Sequence, residues 1–191
     1  LENFRQSQLL FENGWPLYST YTCCLSRDLD VHHMTVNSGH HDIRATLALA
    51  PYTLSTVSSS QGFYLKGRNN VFDLTSGTLV INKKLIIGYE KGTEDVFRVS
   101  PGAVLRLESL GIGNGNWDEA SSTNNVLDVA GGMVKFDIEG GWGFAVGEGS
   151  GDHFNTLRIH DGGVVSNFCN AARIGYKSSN NSLIVEGGST F

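Results

Sequence analysis

The chain has 191 residues, of which 40% are hydrophobic and 17% charged, a balance that excludes a disordered protein. Its formal net charge of −5 and the lack of any basic run make nucleic acid and anionic membrane surfaces poor partners. No apolar stretch reaches the roughly 18–20 residues of a membrane-spanning helix. The 24 glycines beside only 3 prolines indicate many tight turns rather than a flexible linker.

Residues 1–31 are rich in aromatic side chains but show no clear repeat. We expect this segment to cap one end of the regular structure that follows, because repeat arrays need a covering unit at an open end. The chain opens with Leu1 rather than Met, so we expect it to be a mature or excised piece of a longer protein.

The three cysteines give no disulfide framework and no zinc-binding spacing. Cys23 and Cys24 are adjacent, and the side chains of adjacent cysteines diverge. Cys169 lies in an apolar stretch, where a buried thiol is the expected state. The redox state of all three is left open.

From residue 70 onward the chain repeats one pattern five times. Residues 70–77 read NVFDLTSG and residues 125–132 read NVLDVAGG, and the five copies start 25, 30, 30 and 26 residues apart. A second landmark that ends in glycine follows each of the first four copies, as in the segment LIIG at residues 85–88. Two landmarks that recur in phase identify a repeat architecture. The copies begin at Asn70, Asp95, Asn125, Asn155 and Asn181.

Inside each copy two apolar residues flank a third position, a period of two that is typical of a strand with one buried and one wet face. Two further short apolar runs complete each unit, which leaves room for three strands and three turns. The apolar pairs are Phe72/Leu74, Phe97/Val99, Leu127/Val129, Leu157/Ile159 and Leu183/Val185. The residues between them are Asp73, Arg98, Asp128, Arg158 and Ile184.

The repeat predicts an all-β parallel β-helix, or β-solenoid, with three short strands per coil over residues 32–191 and clear repeats over 70–191. Equal positions of neighbouring coils would stack at about 4.8 Å. We expect one buried ladder that runs from Phe72 to Leu183, and a ladder of the leading asparagines that Asp95 interrupts. Propeller blades, leucine-rich repeats and an antiparallel sandwich fit the pattern less well.

Glycine closes the first strand of the repeats, and we expect these glycines to occupy equivalent turns, some with positive φ. They are Gly77, Gly102, Gly132 and Gly188.

The pattern N-x-L-x-V-x-G-G followed by L-x-I-G resembles the repeat modules of large secreted bacterial β-helix proteins, of the autotransporter-like and pectin-lyase-like kind. The resemblance covers residues 70–191 and implies a right-handed coil and an extracellular or cell-surface location. That family includes adhesins, surface scaffolds and polysaccharide-degrading enzymes, so the fold alone does not choose among these functions.

Candidate ligand-binding residues lie mainly in the loops after the third strand of each coil. Trp117 and Trp142 are candidates for stacking on sugar rings. Carboxylates in the same loops are candidate oxygen ligands for Ca²⁺, namely Asp118, Glu119, Glu148 and Asp152. The Asp73–Arg98 and Asp128–Arg158 neighbours indicate surface charge pairing rather than a catalytic groove.

The sequence therefore favours a structural or adhesive scaffold module of a secreted or cell-surface protein, because no catalytic constellation is evident. The alternative is a β-helix domain that binds or degrades polysaccharide, as a lyase or hydrolase. A groove with three or more carboxylates, or with Lys or Arg beside them, would favour that alternative. We expect polysaccharide or further coils, stacked at the C-terminal end, as partners, and no nucleic acid.

Overall fold

The computed structural model describes residues 8–12, 18–38, 42–58, 60, 62–113, 121–138, 140, 143–166 and 171–191. Within these ranges the chain forms strands and turns, and it contains no helix that is long and apolar enough to cross a membrane. The strands are β1 (Gln8–Glu12), β2 (Tyr18–Cys24), β3 (Leu29–Val31), β4 (His33–Asn37), β5 (Asp42–Thr56), β6 (Phe63–Arg68), β7 (Val71–Thr93), β8 (Val96–Val99), β9 (Ala103–Ile112), β10 (Val126–Ala130), β11 (Met133–Lys135), β12 (Gly143–Val146), β13 (Thr156–His160), β14 (Val164–Ser166), β15 (Ala171–Ile174) and β16 (Ser182–Val185).

Each turn of the chain contributes one strand to each of three parallel sheets, and the long strands β5, β7 and β9 bend around the corners that join them. The first sheet contains β2, β8, β10, β13 and β16 with the beginnings of β5 and β7. The second contains β3, β11 and β14 with the end of β5, the middle of β7 and the beginning of β9. The third contains β1, β4, β6, β12 and β15 with the ends of β7 and β9. The predicted β-solenoid with three strands per coil is confirmed.

The predicted register is also confirmed in the first sheet. Phe72 lies opposite Phe97, Phe97 opposite Leu127, and Leu127 opposite Leu157. These four side chains are fully buried, and Leu183, the next in the ladder, is partly buried. The ring centroids of Phe72 and Phe97 are 4.9 Å apart. The core is therefore a column of like residues along the solenoid axis, as expected when one hydrophobic pattern repeats once per coil.

The glycine landmark lies at the corner between the first and second sheets, and the prediction that some of these glycines have positive φ is confirmed. Gly77, Gly102 and Gly188 have φ of 75°, 81° and 72°, in the left-handed region that favours glycine. Gly132 does not have positive φ, and its neighbour Gly131 does, at 71°. Gly132 is needed for a different reason, because a Cβ there would lie 2.6 Å from the carbonyl oxygen of Ser100 in the preceding coil.

The first three strands stack on the next coil in the same way as the later strands do. β1 pairs in parallel with β4, and both β2 and β3 pair in parallel with β5. The domain boundary after residue 31 and the capping role of residues 1–31 stay predictions.

The leading asparagines form a buried hydrogen-bonded ladder at the corner between the third and first sheets. The Asn125 backbone N–H donates to Oδ1 of Asn155 (3.0 Å), and the Asn125 side-chain amide donates to the same oxygen (2.9 Å). As predicted, Asp95 interrupts the side-chain part of this ladder, because its carboxylate donates no bond to Asn125, but the rest of the ladder continues through it. Its Oδ1 accepts from the Asn70 backbone and side chain at 3.0 and 2.7 Å, and its N–H donates to Asn125 Oδ1 at 3.0 Å. A carboxylate oxygen accepts as well as an amide oxygen does, so only the side-chain donor of this rung is missing.

Candidate functional site: a groove on the third sheet

A groove on the outside of the third sheet arises from a change of residue size along two stacked rows. In one row Lys84 is followed in the next two coils by Ser109 and Gly143. In the adjacent row Ile86 is followed by a glycine and an alanine, and then by Arg173. Both rows lack a long side chain for two coils, which at about 4.8 Å per coil leaves a gap of about 10 Å.

The gap is a cavity of about 570 Å³ with a charged residue toward each end. Lys84 and Arg173 come from strands three coil steps apart, which corresponds to about 14 Å. Glu148 lies in the turn that follows β12, in a coil between the coils of Lys84 and Arg173. The lining residues are Lys84, Ser109, Leu110, Gly143, Phe144, Ala145, Glu148, Arg173 and Tyr176.

Arg173 is held by two neighbours. Its Nη1 donates to Oε1 of Glu148 at 3.3 Å, and the side chains of Arg173 and Glu148 are 44% and 13% exposed. The Arg173 guanidinium carbon also lies 5.3 Å from the centre of the Tyr176 ring, a cation–π distance that Lys177 shares at 5.4 Å. The Arg173 charge is therefore largely compensated.

Lys84 is in a different electrostatic position. Burial lowers the pKa of its ammonium group, because the charged form loses hydration, and the negative charge of Glu148 opposes that shift. Lys84 forms no ion pair with any residue that the structure describes. The neighbouring Lys83, in contrast, pairs with Glu108 at 2.8 Å. The cation of Lys84 is thus partly desolvated without a close counter-ion in the described part of the chain.

Of the predicted calcium ligands, Glu148 lies in this groove and Asp152 supports the turn beside it. Asp152 is fully buried, and its carboxylate accepts from the backbone N–H of Ser122 (3.1 Å) and of Gly149 (2.6 Å). No group of three or more His, Cys, Asp or Glu in the described ranges could hold a metal ion. Asp118, Glu119, Trp117 and Trp142 lie outside the described residues, so the calcium and sugar sites stay predictions.

The charged residues of the first sheet, from Asp73 to Arg158, lie side by side in neighbouring coils as predicted. Of the two predicted ion pairs, Asp73–Arg98 forms and Asp128–Arg158 does not. Arg98 bridges two coils, with Nη1 at 3.2 Å from Asp73 and Nε at 3.1 Å from Asp128. On its other side Asp128 bonds to Nε2 of His160 at 2.8 Å rather than to Arg158. Arg158 pairs with Glu186 in the following turn. These contacts join coils and leave no uncompensated pair of carboxylates in the described row.

Two of the cysteines are described, and both have free thiols. Cys24 is exposed, whereas Cys23 is half-buried and packs against the core. Burial raises the pKa of the Cys23 thiol, with a further contribution from Cys24, so Cys23 is a poor nucleophile. Cys169 lies outside the described residues.

The sequence interpretation missed Lys84, Arg173 and Tyr176. The signal was present in the residue that precedes each second landmark, which changes from lysine to serine to glycine along the repeats. A column that loses its side chain in the middle of a repeat array predicts a groove on the outer face. The charges at its two ends could be read from the same alignment.

Comparison of the chain with protein-family models, curated proteins and solved structures returned no match. The architecture established by strand pairing is a parallel β-solenoid. The similarity to secreted bacterial β-helix proteins therefore rests on the repeat pattern alone.

Proposed function

We propose that the chain is a structural or adhesive scaffold module of a secreted or cell-surface protein. The observation that carries this proposal is the use of the repeated polar residues. The buried asparagines bond from coil to coil, and Arg98 bridges two more coils on the outside. The polar groups that recur with the repeat thus stabilise a rod, and in the described chain they do not converge on a reaction centre.

A scaffold also needs a surface through which it joins its neighbours, and the last coil offers one. Val185 lies opposite the fully buried Ile159, so its side chain points along the core column, yet it is 44% exposed. Ile174, in the last strand of the third sheet, and Phe191 are exposed by 43% and 44%. Apolar side chains and an open strand edge in this arrangement favour addition of another parallel coil. The occupant that we propose is a coil with the same repeat pattern from a second copy of this chain.

The experiment is sedimentation velocity over a range of protein concentrations, with two variants of neighbouring residues. Val185→Asp places a charge in the core column, whereas Ile184→Asp places it at a similarly exposed position (41%) on the outside of the first sheet. We expect self-association in the natural sequence and in Ile184→Asp, and its loss in Val185→Asp. A monomer at all concentrations would contradict the stacking surface. Release of reducing ends from a panel of polysaccharides would contradict the scaffold function and favour the polysaccharide-degrading alternative.

A further inference from the structure

We propose that the groove on the third sheet binds a small organic anion, whose acidic group pairs with the Lys84 ammonium. The body of the ligand would lie across the floor formed by Ser109, Gly143 and Ala145. This inference is independent of the scaffold function, since it concerns the outer face of the central coils rather than their stacking.

The described lining residues give the groove a net positive charge. The groove contains two cations, Lys84 and Arg173, and one carboxylate, Glu148, in a chain whose net charge is −5. Glu148 bonds to Arg173, so the surplus positive charge resides at Lys84. A desolvated charge without a close counter-ion is unfavourable, and an anion that enters the groove removes this penalty.

The groove has the size of a small-molecule site. A volume of about 570 Å³ lies within the range of about 300–1,000 Å³ for small-molecule sites. The residues that follow Lys84 and Ile86 in the two stacked rows are small, including Ser109, Gly143 and Ala145, which leaves space beside Lys84 for the body of a ligand. Tyr176 lines the same cavity and offers an aromatic contact to the ligand body.

The alternative of a metal ion fits this groove less well. Calcium takes about six to eight oxygen ligands, and Glu148 is the only carboxylate among the described lining residues. Its Oε1 is already bonded to Arg173. The negative charge of Glu148 acts on Lys84 and opposes an incoming anion, so removing this charge should tighten anion binding.

The test is NMR titration of the full chain, with the lysine Cε–Hε signals as the readout. Acetate, benzoate and sulfate are added at constant ionic strength, so that general salt effects are held fixed. We expect a saturable shift of the Lys84 signal and a higher Lys84 pKa in the bound state. Tighter binding of benzoate than of acetate would show that the groove recognises the ligand body. A response to sulfate that equals the response to acetate would extend the ligand class to sulfate esters.

Three variants separate the proposal from nonspecific binding. Lys84→Met keeps the length of the side chain and should weaken binding by about tenfold or more, one decade being the effect of losing one good charged contact. Lys135→Met, on the second sheet, is the matched control and should leave binding unchanged. Glu148→Gln removes the negative charge and should tighten binding. No saturable shift with any probe, unchanged binding by a folded Lys84→Met variant, or weaker binding by Glu148→Gln would each overturn the proposal.

Discussion

Two polar ladders run along the same coils three residues apart, one buried and one on the surface. The buried ladder contains the leading Asn or Asp of each repeat, and the surface ladder contains the charged residues of the first sheet, from Asp73 to Arg158. Both repeat once per coil and both join neighbouring coils. The sequence pattern of the two is equally regular, so regularity alone does not reveal how much each contributes to stability.

The difference between the ladders lies in the cost of leaving a group without its partner. Asn125, Asn155 and Asp95 are fully buried, and water cannot replace a lost hydrogen bond there. The Arg98 side chain is 42% exposed, so solvent takes over when an ion pair is broken. The buried ladder therefore contributes more to the stability of the fold than the surface ladder does.

The largest effect that we expect concerns the apolar column that lies between the two ladders. Leu157 is fully buried opposite Leu127, and Leu157→Ala removes buried methyl groups and leaves a cavity. The free energy of unfolding should fall by about 2–5 kcal/mol. Urea denaturation followed by circular dichroism measures it, and a loss below 1 kcal/mol would show that the core column tolerates truncation.

Asn125→Ala should approach that cost although it removes no apolar group. The Asn125 side chain accepts from the Asp95 N–H and donates to Gly92 O, Ser122 Oγ and Asn155 Oδ1. Its loss leaves the buried Asp95 N–H without a partner, at about 1–3 kcal/mol, and removes one bond from each of the other three groups, so we expect a destabilisation of about 2–4 kcal/mol. An unchanged free energy of unfolding would show that the buried ladder contributes no more to stability than the surface ladder does.

Asp95→Asn should stabilise the protein at pH 8 and leave it unchanged at pH 4. Burial, and to a lesser degree the charge of Glu94, raises the pKa of Asp95 from 3.8 to about 6, against the hydrogen bonds from Asn70. The folded state therefore binds the proton more tightly than the unfolded state, and this contribution is complete below about pH 4 and lost as the pH rises through about 6.

The position of the Asp95 carboxylate explains why its pKa is raised. Oδ1 of Asp95 takes the acceptor position of the ladder, so Oδ2 stands where an asparagine carries its donor, and Oδ2 is buried without a hydrogen-bond partner. In another rung the Asn155 amide donates to the backbone oxygen of Ser122 at 2.9 Å. A protonated carboxyl or an amide can donate at this place, whereas a carboxylate cannot.

From the shift we expect Asp95→Asn to gain about 1–3 kcal/mol at pH 8. Chemical denaturation of both proteins at pH 4, 6 and 8 measures the difference, in which the other carboxylates cancel. A variant that is less stable than the natural sequence at pH 8 would contradict the account of Asp95.

The repeat predicted the register because stacked coils place equal positions in contact, so Phe72, Leu127 and Leu157 could be assigned without a structure. The pairing of Asp128 with His160 could not, because it depends on side-chain direction at the edge of a strand rather than on the pattern. The φ values of Gly131 and Gly132 depend on the length of one corner, which has one residue fewer than the same corner of the two neighbouring coils. The groove between Lys84 and Arg173 depends on missing side chains, which a search for motifs overlooks.

The smallest effect concerns the surface ladder, and it completes the comparison. Arg98→Gln removes both ion pairs to Asp73 and Asp128 but keeps a polar side chain on the first sheet. Exposed pairs contribute about 0.2–1 kcal/mol each, and Asp128 keeps its bond to His160. We therefore expect a loss of about 1 kcal/mol or less, which should shrink further in high salt because exposed charges are screened over about 8 Å at physiological ionic strength. Denaturation at low and high salt tests both statements. A loss as large as that of Asn125→Ala, with no dependence on salt, would show that the surface ladder also holds the coils together.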